Sequence, residues 1–552
     1  MSQLFERHQT ALEQAVQAIA TRDFWTLYPE VPSEKIYGEG ARQQGQDDFQ
    51  ALLQQPFSLP DHPGAALGGH EISPHGLALG IQYPLASADE LINAATEAQG
   101  DWALASIEVR TGICLEILQR LNQCSFLMGH ATMHTSGQGF PMAFQAGGPH
   151  AQDRGLEAVA YAWQAMTSVP PQAEWVKPMG RGQEVRLEKH WRVIPRGIGL
   201  VIGCRTFPTW NSYSGFFASL VTGNAVIAKP HPAAILPMAL TVKIAREVLS
   251  EQGFSPNVVT LAAENPGQDL AQSLAVRPEI GIIDYTGSAR FADWLRANAA
   301  TDLLYTEETG VNSIVLSATD DFDAMCANLA FSLALYSGQM CTTPQNIFIP
   351  EQGIRVGETH KSYDEVVQGI VGALDGLLAD PDRAAMIAGA IVNPDILAHI
   401  QAVQKQGRVL RPSQPYPEAG QARTASPLLV ELDFEQQDIY GQEHFGPITF
   451  VIPVADVHAG IDRAADLARR EGAITAALYA HDQSQVDHAI EAFAFAGVNL
   501  SINLLQGIYV NQSAAFSDFH VTGANPAGNA CLTDNAFVAN RYRVAMWRRP
   551  LT

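Results

Sequence analysis

The sequence predicts an α/β protein made of two parallel-sheet units in tandem, preceded by a mainly helical region. Three observations predict it. From about Arg192, short apolar runs alternate with amphipathic stretches, and the same rhythm starts again at Ile314. The 552 residues are 47% hydrophobic and 16% charged, enough to bury more than one core.

Taken in order, residues 1 to about 190 read as helical and irregular. Leu12, Val16 and Ile19 recur at helical spacing, and Ala86 to Leu121 has the charge and apolar pattern of amphipathic helices. Pro29, Pro32 and the Gly/Pro-rich segment from Pro60 to Pro84 mark loops. The run from Gly137 to Gly148 reads as a loop, and Asp153 as the N-cap of a helix. His130 and His134 are four apart, the spacing of the HExxH zinc motif. The position of its glutamate is Ala131, however, and no third ligand is near, so these two and His150 read as structural or surface histidines, with no metal site.

In the first unit, strands are expected at Gly199–Gly203, Ala225–Ala228, Val258–Leu261 and Ile280–Ile283, with helices at Ile235–Leu249 and Ala289–Ala297. In the second, strands are expected at Ile314–Leu316, Ile347–Ile349, Leu428–Leu432, Ile448–Val454 and Ile474–Tyr479. Its helices are expected at Phe322–Leu335, Tyr363–Leu377 and Pro394–Val403. The chain ends in a basic, strand-like tail, NRYRVAMWRRP, which either pairs with a partner subunit or ends free.

A net charge of −23 argues against nucleic-acid and anionic-membrane binding. The six cysteines (114, 124, 204, 326, 341 and 531) form no CxxC pair, which points to a reduced cytoplasm rather than a disulfide scaffold or a zinc ribbon. No cationic leader with an apolar run opens the sequence, and no uncharged stretch has transmembrane length, so a cytoplasmic protein is expected.

Chemistry is concentrated at five places. Cys341 lies at a helix-to-loop junction, in Ser337-Gly338-Gln339-Met340-Cys341, where a substrate can approach a thiolate. In FPTWNS, Asn211 offers an amide to an oxyanion. Lys229 ends a buried strand, where a nucleotide would lie. The YTGSAR turn, from Tyr285 to Arg290, offers free N–H groups to a diphosphate. In YTEETG, either Glu307 or Glu308 offers a general base. Taken alone, Cys341 reads more readily as a buried structural cysteine, Asn211 as a turn former in a Pro/Ser-rich loop, and the others as ordinary turns or strand ends.

Together and in this order they resemble the aldehyde dehydrogenase superfamily, over roughly residues 100 to 525. FPTWN is similar to that family's Pro-Trp-Asn motif, which implies Asn211 as oxyanion donor and Trp210 beside the cofactor. AKP resembles its Lys-Pro motif and implies Lys229 at the cofactor ribose and phosphate; YTGS resembles Phe-Thr-Gly-Ser and implies Thr286, Gly287 and Ser288 against the cofactor. TEETGVNS stands where the family has Glu-Leu-Gly-Gly-Lys, which implies Glu307 as base and leaves Glu308 as the alternative. GQMC resembles the nucleophile motif at Cys341, and QEHFGP resembles Glu-x-Phe-Gly-Pro, with Glu443 at the nicotinamide ribose and Phe445 at the ring. Glu307 precedes Cys341 by 34 residues and Glu443 follows it by 102, as in that family.

The resemblance implies an aldehyde dehydrogenase-like fold: a Rossmann-type cofactor domain, an α/β catalytic domain and a small oligomerisation element. The implied divisions are 1–307 for the helical extension and NAD(P) domain, with an oligomerisation segment within 165–195; 308–505 for the catalytic domain; and 506–552 for a returning tail. The implied reaction is oxidation of an aldehyde to the acid through a Cys341 thiohemiacetal and thioester, in a homodimer or dimer of dimers. The acid that the family carries three residues after the lysine is Pro232 here, which implies NADP as the preferred cofactor, with NAD as the alternative. The N-terminal region, KPHP and TEETGVNS resemble the PaaN-type subgroup of phenylacetate degradation, which implies a ring-opened, CoA-linked semialdehyde. Two alternatives stand beside it: a CoA-acylating dehydrogenase and a non-catalytic pathway-assembly subunit.

Overall fold

Five strands, four of them mainly apolar, set the first sheet. Ile198–Ile202, Ala225–Lys229 and Val259–Leu261 are buried along their whole length, and Ile280–Gly287 and Leu304–Glu308 along part of it. Such continuous burial is what a parallel sheet covered on both faces requires. All four pairings are parallel, in the spatial order 259–261, 225–229, 198–202, 280–287, 304–308. The chain therefore starts mid-sheet, runs to one edge and then reverses. That reversal opens a crevice between the carboxyl ends of Ile198–Ile202 and Ile280–Gly287, the usual ligand position in such sheets.

The second sheet has seven strands in the order 408–411, 428–431, 448–454, 346–350, 313–316, 475–479, 499–502. All its pairings are parallel except that of Arg408–Arg411, an edge strand that runs antiparallel to Leu428–Glu431. The third sheet is antiparallel: Gln172–Gly180 and Gln183–Pro195 form a hairpin, and the last strand, Tyr542–Pro550, lies along its other side.

This computed structural model describes residues 3–308, 310–416, 421–505, 507–520 and 533–551. Cys531 and Thr309, both part of the sequence reading, lie outside them, as do parts of the tail division 506–552. Among the described residues no helix is long and apolar enough to cross a membrane.

Most expected strands and helices fall within a residue or two of their places, but four readings need correction. The expected loop at 137–148 contains a helix, Phe140–Gly147, with Pro141 in its first turn, a position where a missing N–H costs nothing. Asp153 is no N-cap: its helix starts at Pro149, and the buried carboxylate takes hydrogen bonds from Thr26 Oγ1 at 2.5 Å and the Leu27 N–H at 3.3 Å. Burial pushes that carboxyl up to about 7. Asn211 stands in the first turn of a helix, Trp210–Val221, rather than in a loop. Finally, residues 172–195 form the long hairpin rather than helix or irregular chain.

The tail strand pairs with the hairpin of its own chain, from Tyr542 opposite Pro195 to Pro550 opposite Leu187. Arg541, just before it, is fully buried and reaches both oxygens of Asp284 at 2.6 and 2.7 Å, which fastens the tail to the first sheet. Gly215 leaves the room for this: a Cβ there would come within 2.4 Å of the Asp284 carboxyl carbon.

Candidate active site

The helix Phe322–Ala334 ends in a tight turn, Leu335–Gly338, that delivers Cys341. Tyr336, Ser337 and Gly338 all have left-handed backbone, with φ of 51°, 50° and 64°. Only glycine adopts this without cost, so the surroundings must hold the other two. Tyr336 is fully buried and its hydroxyl donates to the Ser136 carbonyl; Ser337 Oγ donates to the Ala388 and Ala425 carbonyls at 3.1 and 3.2 Å.

Asn312 staples the loop that follows Cys341. Its Nδ2 donates to the Cys341 carbonyl at 2.8 Å and the Thr343 carbonyl at 3.0 Å, while its Oδ1 accepts from the N–H groups of Ile474 and Thr475. Gln345 ties the same loop to the segment bearing Glu443: its Nε2 donates to the Gln442 and Tyr440 carbonyls, and its Oε1 accepts from the His444 N–H at 2.7 Å. Glu443 and Phe445 thereby line one hollow with Gly338, Met340 and Thr343, on the flank of Cys341.

Three predicted residues meet at the thiol. Cys341 Sγ lies 3.3 Å from Glu307 Oε1, and Asn211 Nδ2 donates to Glu307 Oε2 at 2.7 Å. A small cavity at the crevice of the first sheet is lined by Asn211, Thr286 and Glu307 together. Glu308 is elsewhere: its buried carboxylate pairs with Arg296. Trp210, one residue before Asn211, packs edge-on against the ring of His520, 4.8 Å between centroids.

His520 itself was not foreseen. Its Nε2 stands 3.0 Å from Glu307 Oε1 and 4.0 Å from Cys341 Sγ, with the side chain 2% exposed. Cys341, Glu307 and His520 form the one group of three potential metal-binding side chains found among the described residues. His130 and His134, by contrast, stack on Phe49, and His150 sits at the surface beside Glu30.

Electrostatics hold the resting thiol protonated. Burial raises the Cys341 thiol well above its ordinary range, and the Glu307 carboxylate adds to this by charge and hydrogen bond. Burial alone would raise Glu307 as well. The charge of a His520 imidazolium, with hydrogen bonds from His520, Cys341 and Asn211, outweighs that and leaves the carboxyl below its usual range.

The remaining predicted residues lie at the carboxyl ends of the first sheet. Lys229 ends its strand, nearly buried, with Nζ 2.6 Å from Glu264 Oε1; burial lowers this ammonium, and Glu264 opposes that. Gly287 ends its own strand, where a Cβ would meet the Tyr285 hydroxyl at 2.3 Å. Ser288 is the N-cap of Ala289–Asn298 and its side chain takes no capping hydrogen bond. A dinucleotide fits these features: the helix N-terminus suits a diphosphate, and the lysine–carboxylate pair suits a ribose.

Fold and site thus define a class of protein: an α/β protein with a thiol, a carboxylate and an amide gathered at the crevice of a nucleotide-type sheet. The sequence pattern of the aldehyde dehydrogenase family matches residues 82–517, and the chain belongs to that family. A crystal structure of an NAD-dependent aldehyde dehydrogenase from Burkholderia multivorans superposes with a TM-score of 0.97 at 50% identity, covering 100% of this chain and 99% of that one. An N-succinylglutamate 5-semialdehyde dehydrogenase from the same species is 24% identical over 413 residues, 74% of this chain and 80% of its own. The 1-pyrroline-5-carboxylate dehydrogenase from Thermus with bound NAD has the same fold, with a TM-score of 0.73 at 18% identity over 96% of this chain and 99% of that one.

Proposed function

We propose that this chain oxidises an aldehyde to a carboxylic acid with NAD, through a thiohemiacetal and then a thioester on Cys341. The observation that carries this reading is Glu307, which meets the thiol at 3.3 Å with one oxygen and the Asn211 amide at 2.7 Å with the other. Cys341 is the nucleophile. As its sulfur bonds to the carbonyl carbon, the developing alkoxide is held by the Cys341 N–H and by Asn211, whose Nδ2 has a second N–H beyond the one given to Glu307. A bound nicotinamide supplies the hydride acceptor. Glu307, rather than Glu308, then takes a proton from water as it attacks the thioester.

The cofactor is held, in this reading, by Lys229, Thr286, Gly287 and Ser288 on the first sheet, with Trp210 beside it and Glu443 and Phe445 at the nicotinamide end. NAD is favoured over the NADP that Pro232 suggests, because Glu264 brings a carboxylate to Lys229 from another strand end. The same-fold relative at 50% identity carries NAD in its name, which supports this choice. The divisions 1–307, 308–505 and 506–552 are kept; the first sheet ends at Glu308 and the second begins at Ser313.

For the substrate we propose a semialdehyde, the class named for the N-succinylglutamate relative. Its narrower form, a ring-opened CoA-linked semialdehyde, rests on the PaaN-type sequence features. The test is NADH and NADPH formation on a panel of aldehydes and semialdehydes, CoA-linked ones included, with and without free CoA. Turnover without CoA that falls at least about 10³-fold in Cys341→Ser is the expected result. Turnover only with free CoA replaces water by CoA as acyl acceptor, and no turnover on any member of the panel overturns the proposal.

A further inference from the structure

Three kinds of ligand atom converge at the thiol, each from a different part of the chain. Glu307 Oε1 comes from the end of Leu304–Glu308, Cys341 Sγ from the loop after Phe322–Ala334, and His520 Nε2 from the segment after the second sheet. Sγ to Oε1 is 3.3 Å, Oε1 to Nε2 is 3.0 Å and Sγ to Nε2 is 4.0 Å. At rest the thiol and the ring both donate to that one carboxylate oxygen. The reaction above uses the thiol and the carboxylate and gives the imidazole no task.

The same triangle is the size of one metal ion. Zinc binds thiolate sulfur at about 2.3 Å and imidazole nitrogen or carboxylate oxygen at about 2.0–2.2 Å, which in a tetrahedron sets the ligand atoms about 3.4–3.6 Å apart. The three distances lie within about half an ångström of that, a change small side-chain rotations supply. The charges also close. A thiolate and a carboxylate cancel a divalent cation, so with a neutral imidazole the buried site carries no net charge. Sulfur and imidazole among the ligands favour zinc over the hard cations magnesium and calcium.

A supporting shell is already in place. Glu307 Oε2 accepts from Asn211 Nδ2 at 2.7 Å, and the Cys341 carbonyl from Asn312 Nδ2 at 2.8 Å. Asn499 Nδ2 donates to the Phe519 and His520 carbonyls at 2.7 and 2.9 Å, and Trp210 packs on the imidazole. Bonds of this kind aim ligands before a metal arrives. Glu307 and His520 are buried while Cys341 is partly exposed, which leaves one side for the ion to enter and for water to take the fourth position.

We propose that Cys341, Glu307 and His520 form a three-ligand zinc site, and that zinc bound there switches the enzyme off by occupying its nucleophile and its base. The metal displaces the thiol proton and the Nε2 proton to solvent, and the ring carries its remaining proton on Nδ1. No group is oxidised or reduced. The inhibition rests on the aldehyde-oxidising reading; the binding does not.

The test starts from wild-type protein stripped with a chelator. Added Co²⁺ is expected to give a thiolate-to-cobalt charge-transfer band that one equivalent of Zn²⁺ removes. Alkylation of Cys341 by iodoacetamide, followed on its peptide by mass spectrometry, is expected to slow at least about tenfold with zinc and to recover with EDTA. His520→Gln keeps a donor for Glu307 but removes a ligand. An outer-shell partner alone is worth about 10–100-fold in metal affinity, so zinc binding, measured by competition with a chromophoric chelator, is expected to weaken about 100-fold or more. Glu307→Gln is the second variant, and melting curves separate loss of a ligand from loss of the fold. The proposal is overturned by a wild type with no charge-transfer band, by a band that survives in Cys341→Ser, by wild-type zinc affinity in folded His520→Gln, or by equal protection of Cys341 with magnesium. None of these measurements needs turnover. Zinc that binds without slowing a measured aldehyde oxidation overturns the inhibition, whereas a protein that oxidises no aldehyde refutes the proposed function and leaves the zinc site to stand or fall on binding alone.

Discussion

Glu307 and Glu308 are neighbours in one strand, and neighbours in a strand point to opposite faces. That alternation separates them in space: one carboxylate lies beside Cys341, the other beside Arg296. Motif spacing along the chain left both open. The acid beside Lys229 is the reverse case. Looking three residues along finds only Pro232, yet Glu264 arrives from the neighbouring strand's end, with one oxygen on the ammonium and the other accepting from the Leu270 N–H at 3.0 Å. A 2′-phosphate beside that lysine would meet a carboxylate, and like charges in a partly dry site repel strongly. Glu264→Gln keeps the capping oxygen and removes the charge. It is expected to lower the NAD-to-NADP ratio of kcat/KM about tenfold or more, mainly through a lower KM for NADP; an unchanged ratio removes Glu264 from cofactor choice. The cysteine, the amide and the lysine were legible because each sits in a local run with its own turn and glycine signals. Asn312, Gln345, Glu264 and His520 were not, because their partners lie across sheet ends: His520 bonds a carboxylate 213 residues earlier in the chain.

Elements buried on both faces were the easiest to read, since a strand such as Ile448–Val454 is a continuous apolar run bounded by turns. The hairpin Gln172–Gly180 and Gln183–Pro195 was missed because it is largely exposed on both sides, mixes charge with apolar residues and carries Pro178 inside a strand. The turn that delivers Cys341 shows what local signals cannot reveal. The Ser337-Gly338 pair marks a break, but only the fold shows why glycine stands there. Gly338 has φ of 64°, and a Cβ would come within 2.4 Å of the Gly446 carbonyl oxygen. Gly446 belongs to the segment that carries Glu443 and Phe445, so the Cys341 turn and the proposed cofactor segment touch backbone to backbone. Gly338→Ala is expected to cost about 1 kcal/mol from the left-handed conformation alone, and more from the contact. The two segments must part, so kcat is expected to fall at least about tenfold, with KM for NAD rising and the thermal midpoint falling by several degrees. Steady-state kinetics and a melting curve together check this; wild-type kinetics in a folded Gly338→Ala would show that the close approach does not matter.

At the scale of the whole molecule, the proposed site is assembled from both large sheets: Glu307 and Asn211 come from the first, Cys341 and Glu443 from the second. The third sheet contributes nothing to it. Across that sheet, residues directly opposite one another share a face. Trp175 stands opposite Leu187, Trp191 opposite Met546, and Val193 opposite Val544, and Val185 projects on the same side because it lies an even number of residues along the strand. One face therefore carries these apolar side chains in two patches, divided by Lys189 opposite Arg548, while Glu174, Arg186, Glu188 and Arg549 project from the other. Trp175, Val185, Val544 and Met546 are each more than a third exposed. Among the described residues, both outer strands, Gln172–Gly180 and Tyr542–Pro550, also have a free edge. Exposed apolar patches beside open edges are what self-associating surfaces look like, and a two-fold axis lets one such face cover its own copy. We therefore propose a homodimer joined through this sheet, and the sheet's distance from the thiol chemistry makes the proposal separable from catalysis. Val544→Glu with Met546→Glu places two carboxylates in one patch without touching the Arg541–Asp284 anchor. Light scattering on the eluting protein is expected to give about twice 59.6 kDa for wild type and 59.6 kDa for the double variant. A wild type that stays monomeric at micromolar concentration, or a double variant that stays dimeric, places the contact elsewhere.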